Sequence, residues 1–277
     1  MGLLALTATG ICSMIGAAIN VIPFMIQKNV PGIGPYVLQA YVCAAIPAML
    51  AALAYAILAS AMPRAGGSYV YASRALNPFL GFVASFSQWF GLSTAIGVVS
   101  YVLVAFLRDI ALPLGFSDLA HTMESGWARP AIALAFLWFF VGVNLLGLKS
   151  YERALIPLMV VMFAAGFIVI VAGFAFNQAD FALALQAREN RAVPPLTSVP
   201  FDLSRFLAAA SILFSSFIGF DSIAQAGGEA KNPGRNLPLA IGIAVVTVGA
   251  FYMLFTAAVY HAVPWTYVAE QAMTRRT

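Results

Sequence analysis

The chain has 277 residues, of which 62% are hydrophobic and only 9% charged, with a mean hydropathy of +0.92. Soluble domains carry about 25% charged residues, so a water-soluble globule is excluded and an integral membrane protein is expected. The formal charge of +4 is spread thinly, with no basic run beyond the terminal Arg275-Arg276 pair, so no nucleic-acid partner is expected.

About twenty apolar residues cross a bilayer core of about 30 Å. Counted that way, the sequence predicts seven spans, at residues 3–27, 34–62, 78–107, 130–147, 153–176, 205–227 and 238–261. The third is long enough to require tilt or an irregular start near Asn77-Pro78. Short connections marked by Pro and Gly separate them: VPGIGP (30–35), PRAGGSYVYASRALNP (63–78), GLKSYER (147–153) and GGEAKNPGRNLP (227–238). Two longer polar segments remain, 108–129 and 177–204, the second read as an extramembrane loop. The fold class is therefore all-α, a single transmembrane domain over residues 1–277.

Orientation follows from the basic residues. Arg64, Arg74, Lys149, Arg153, Lys231 and Arg235 crowd the short loops after spans two, four and six. The positive-inside rule places those loops, and the N-terminus, in the cytoplasm of a cell membrane. No basic stretch precedes the apolar run that starts at Gly2, so no cleavable signal peptide is read, and the native start is expected upstream.

Cys12 and Cys43 lie inside apolar runs and read as small buried hydrophobes. His121 and His261 have no ligand spacing, so neither a metal nor a cofactor is expected. The spans hold one carboxylate, Asp221, and no cluster of His, Asp, Glu or Cys that would suit a membrane enzyme.

Two segments interrupt this apolar pattern. ICSMIGAAIN (11–20) sits within the first span, and FSSFIGFDSI (214–223) lies in the sixth; they share S-Φ-I-G, aligning Ser13, Ile15 and Gly16 with Ser216, Ile218 and Gly219. A patch of small residues in a membrane helix is commonly a packing face. The same patch in two spans five apart points instead to paired broken helices, the mark of a binding site in a five-plus-five inverted repeat. Hydrocarbon offers backbone groups no partner, so an unwound stretch is tolerated only where it lines a cavity or is covered by protein.

Each break frees amides at one half-helix N-terminus and carbonyls at the other half's C-terminus. Amides from Ile15 to Ala18 would suit a carboxylate, and carbonyls from about Phe214 to Ile218 would suit an ammonium. Crossed breaks could thus hold an amino acid zwitterion without charged side chains. Asp221 reads either as a proton carrier or cation contact, or as a cap for the following half-helix. Phe217 and Phe220, flanking Gly219, read as packed core or as a gate over the substrate.

Three separated motifs then resemble one family. ICSMIGAAINVIP is similar to the first-helix G-S-M-I-G-x-G-I-F of amino acid–polyamine–organocation permeases. AMPRAGGSYVYASRALNPFLGF resembles their P-R-x-G-G-x-Y-x-Y loop, and FSSFIGFDSIAQAGGEAKNPGRNLPLAI resembles their F-x-G-F-[DE]…E-x-x-N-P-x-R-x-I-P segment. The last looks most like the cationic amino acid transporter branch. The resemblance covers essentially the whole chain. It implies a LeuT-like permease of twelve to fourteen helices, of which this chain holds about seven: a first repeat over about 3–176 and the start of a second over about 205–261. The sequence is accordingly expected to be an N-terminal fragment.

Carried over residue by residue, the resemblance makes Ser13, Met14, Ile15, Gly16, Ala17 and Ala18 the carboxylate site. It makes Ser215, Phe217, Ile218, Gly219 and Phe220 the ammonium and pocket site, with Asp221 a coupling candidate for H+ or Na+. Arg64, Gly66 and Gly67 belong to its inward gate. Ala18, Asn20 and Phe24 depart from the family pattern, and the fifth span carries no lysine beyond its cytoplasmic start. Secondary transport of an amino acid is the implied function. A polyamine or organic amine permease or exchanger, and a non-transporting membrane interaction subunit, are the alternatives.

Overall fold

The computed structural model describes residues 1–16, 19, 22–196 and 198–274. Among these the secondary structure is α-helix and short 3-10 turns, with no strand, and the all-α class holds. Six helical stretches are long and apolar enough to cross a membrane, matching the second to seventh expected spans. Within the first expected span, 3–27, lie two helices, α1 (Leu3–Met14) and α2 (Ile22–Asn29), so the span is interrupted, as expected of a broken helix. α1 stops at Met14, with Ile15 extended next to Gly16, a residue whose backbone freedom disfavours a helix interior.

The helices form two units. In residues 68–154, α4 (Ser68–Ala75), α6 (Ser117–Glu124) and α7 (Ala128–Leu145) pack on α5 (Pro78–Ala111). No irregularity marks the start of α5: Pro78 stands at its first position and Asn77 caps it, the side chain accepting from the Leu80 amide at 2.9 Å. At 34 residues it is about 50 Å long, more than the hydrocarbon core requires. The 108–129 segment is ordered at α6, where Arg108 bonds Asp109 and Glu124. The guanidinium of Arg129 lies 4.0 Å over the Tyr101 ring.

The other unit, residues 1–67 with 155–277, is centred on α12 (Pro233–Ala262). Against it lies α3 (Val37–Ala61), whose buried stripe Ala40, Ala44, Ala48, Ala52 and Ala56 recurs every fourth residue. Methyl side chains let the two backbones come close, which is how helices associate where burial from water provides no driving force. α1 also packs on α12. The fifth span, α8 (Leu148–Ala175), brings Gly173 so close to α12 that an added Cβ would stand 2.6 Å from the Ala258 carbonyl oxygen. The 177–204 segment is partly helical: α9 (Gln178–Glu189) opens with a reciprocal capping box between Asn177 and Asp180. A last helix, α13 (Trp265–Thr274), is tied back by Arg191–Glu270 at 3.0 Å and by the Thr266 hydroxyl donating to the Pro194 carbonyl.

The sixth span is also interrupted. α10 (Leu203–Phe214) runs into a 3-10 turn at Ser215–Phe217, Ile218 is extended, and α11 (Asp221–Gln225) begins after Gly219. Gly219 has φ +134°, a backbone conformation that L side chains rarely adopt, and an added Cβ would lie 2.7 Å from the Ser13 carbonyl carbon. The two breaks therefore meet backbone to backbone.

Gly219→Ala is expected to destabilise the fold by about 1–3 kcal/mol through its conformation, and by about 1–3 kcal/mol more through overpacking against Ser13. Thermal unfolding in detergent micelles reads the loss, and an unchanged midpoint would contradict the contact. Gly173→Ala should lower that midpoint more than Gly10→Ala. At Gly10 the new methyl meets the flexible end of Ile223, whereas at Gly173 it meets backbone.

Candidate functional site

Local sequence explains how each break is closed. α1 ends where Ile15 turns extended and its N–H bonds the Ile11 carbonyl at 2.7 Å. Ile15 is therefore not among the free amides expected from Ile15 to Ala18, because the last turn of α1 uses that donor. The Gly16 amide makes no bond to a described residue, and Gly16 is exposed, with open space where a Cβ would project. Ala17 and Ala18 lie outside the described residues.

In the sixth span the Ser215 carbonyl accepts from Ile218 N–H at 3.2 Å, which removes it from the expected set of free carbonyls. The Gly219 carbonyl accepts from both the amide and the hydroxyl of Ser222, at 3.1 and 2.6 Å. The same Ser222 hydroxyl is 3.0 Å from the Ser13 hydroxyl, a polar link between the breaks.

Burial divides the expected site residues into two groups. Ser13, Gly16, Ser215 and Ile218 are exposed, Ile218 at 58%, and so can line a site. Met14, Ile15, Phe217, Gly219 and Phe220 are buried and form its backing. Phe217, 1% exposed, sets its edge on the Tyr252 ring, and Phe220 packs edge-on against Tyr55. Both rings are thus packed core in this conformation. Asp221 is half-buried in the first turn of α11, where the helix dipole favours a carboxylate; the N-cap residue is Phe220, which makes no side-chain cap bond.

A cleft of about 340 Å³ opens beside Gly16 between α1, α8 and α12, walled by Cys12, Leu158, Met162 and Phe251. None of its lining side chains is charged, so a charged ligand at this break would rely on backbone dipoles and hydroxyls. A larger groove, about 880 Å³, runs between α3 and α12 away from the breaks. Exposed Leu50, Leu53, Leu239 and Val246 mark it as surface suited to hydrocarbon.

Sequence reasoning missed Ser222 and Tyr252. The Tyr252 hydroxyl, from α12, donates to the Met14 carbonyl at 2.7 Å. Neither residue belongs to the repeated S-Φ-I-G pattern. The available signals were a second serine just after Asp221, and a tyrosine three residues past Gly249 on the same face of a helix.

A family profile described as amino acid permease matches residues 1–274. Human cationic amino acid transporter 4 is 26% identical over 274 residues, covering 95% of this chain and 40% of the relative. The vacuolar cationic amino acid transporter 4 of Arabidopsis thaliana is 28% identical over 269 residues, covering 94% of this chain and 42% of the relative. An uncharacterised transporter of Mycobacterium tuberculosis is 28% identical over 263 residues, covering 92% of this chain and 53% of the relative. The chain thus spans about two fifths to one half of the length of these relatives. With the profile match running nearly end to end over a multi-pass helical chain, this protein belongs to the amino acid permease family.

Proposed function

We propose that the protein carries an amino acid across a cell membrane by alternating access, with the zwitterion held where the two broken helices meet. The observation that supports this reading is the meeting itself. Two interrupted spans, five apart, touch through Gly219 and Ser13 and leave Ser13, Gly16, Ser215 and Ile218 open beside the contact. Half-helix ends at such a point favour opposite charges: exposed amides suit the carboxylate and exposed carbonyls suit the ammonium. The names of the relatives suggest a cationic amino acid as the first substrate to try, with amines second. The N-terminus is taken to be cytoplasmic, as the basic short loops imply.

Saturable uptake of a labelled amino acid into proteoliposomes carrying the protein is the expected result, and its absence across the common amino acids and amines would overturn the reading. Gly16→Leu should preserve the fold, since nothing lies within 4 Å of a Cβ there, yet abolish uptake by filling the carboxylate position. Retained uptake would make the patch a packing feature.

Asp221 is proposed as the coupling group. If it carries a proton inward, uptake rises as the outside is acidified, and Asp221→Asn removes that rise while leaving exchange at equal pH in place. An unchanged pH profile in the variant would leave Asp221 as a favourable charge in the first turn of α11.

A further inference from the structure

The Met14 carbonyl is one of the acceptors that α1 leaves without an intrahelical partner when it stops. In water such a group is solvated, but at bilayer depth it needs a donor from the protein or the ligand. Here the donor is Tyr252, 1% exposed, whose hydroxyl reaches across from α12 at 2.7 Å. Its ring is held on two sides. Tyr41 of α3 stacks on it at 5.9 Å between centroids, and Phe217 of the sixth-span break meets it edge to face, also at 5.9 Å. One turn earlier on the same face of α12, Gly249 makes room for Phe217: an added Cβ would stand 3.3 Å from that ring.

One side chain therefore touches both interruptions, one through a hydrogen bond and the other through a ring contact. We propose that Tyr252 is a positioning residue for amino acid binding. By holding the Met14 carbonyl it fixes where α1 stops and which way the following backbone of Ile15 and Gly16 faces, and by bearing on Phe217 it sets the second break to the same reference point. A seventh-span residue outside both repeated segments thus governs their mutual geometry. The transport consequence rests on the reading of the breaks as the substrate site; the anchoring of α1 does not.

Tyr252→Phe is the informative variant, because it keeps both ring contacts and removes only the donor. The protein supplies its own probe of anchoring in Cys12, half-buried two residues before Met14, with half-buried Cys43 as the internal reference. In proteoliposomes carrying the protein, the variant should show maleimide labelling of Cys12 several-fold faster than wild type, with Cys43 unchanged. KM for the transported amino acid should rise about tenfold, with a much smaller change in maximal rate, the scale of one buried hydrogen bond lost from a binding geometry. Tyr252→His, which retains a ring N–H donor, should restore part of both values. A Phe variant that fails to fold beside a His variant that folds and resembles wild type also supports the proposal. Wild-type labelling and KM in both variants, or failure of both to fold, overturns it. If the wild type transports nothing, the transport reading fails, while the Cys12 labelling still decides whether Tyr252 anchors α1.

Discussion

A peptide group at the middle of a membrane has no solvent to fall back on, and each one left unpaired there costs several kcal/mol. Two helices in this chain nevertheless stop partway and restart, and the surrounding structure is arranged to answer that cost. Ile15 uses its amide to finish α1, Tyr252 supplies a donor to the carbonyl beside it, and Ser222 covers the Gly219 carbonyl with both an amide and a hydroxyl. On the other side of the contact Ser13, Gly16, Ser215 and Ile218 are exposed. In the proposed reading, satisfaction on the packed side and exposure on the other make the meeting point of the two breaks the place where a zwitterion is held.

Tight approach is the second requirement, since hydrogen bonds across the breaks form only if the backbones come near. Glycine and alanine provide the room. Gly219 meets Ser13, Gly173 meets Ala258, and the alanines of α3 lie along α12. The large side chains, by contrast, are used sparingly inside and generously outside. Phe217, Tyr252 and Tyr41 form one buried aromatic group at the breaks, whereas leucines and valines face outward along α3, α5, α8 and α12. Such an arrangement inverts a soluble core and suits a chain whose solvent is lipid.

Much of this was legible in the sequence because it is local. Length and hydropathy locate the spans, Asn77-Pro78 announces the start of α5, and the repeated S-Φ-I-G marks both breaks. What escaped was non-local or weakly apolar. α6, α9 and α13 carry too many polar residues to register as spans, although Asn177 and Asp180 hold the signature of a helix start. The partner of the Met14 carbonyl lies 238 residues away. No local pattern names such a residue, and only the packing of α12 on α1 reveals it.

The alanine stripe of α3 has a mechanical consequence. Side chains that interdigitate resist sliding, because every knob must leave its hole before it can enter the next. Alanine has neither a knob of that size nor a rotamer to reset, so along its stripe α3 offers a close-fitting, shallow face, from which Tyr41 stands out to stack on Tyr252 of α12. The alanines themselves interlock little, so it is this aromatic stack that pins the axial register of α3 on α12.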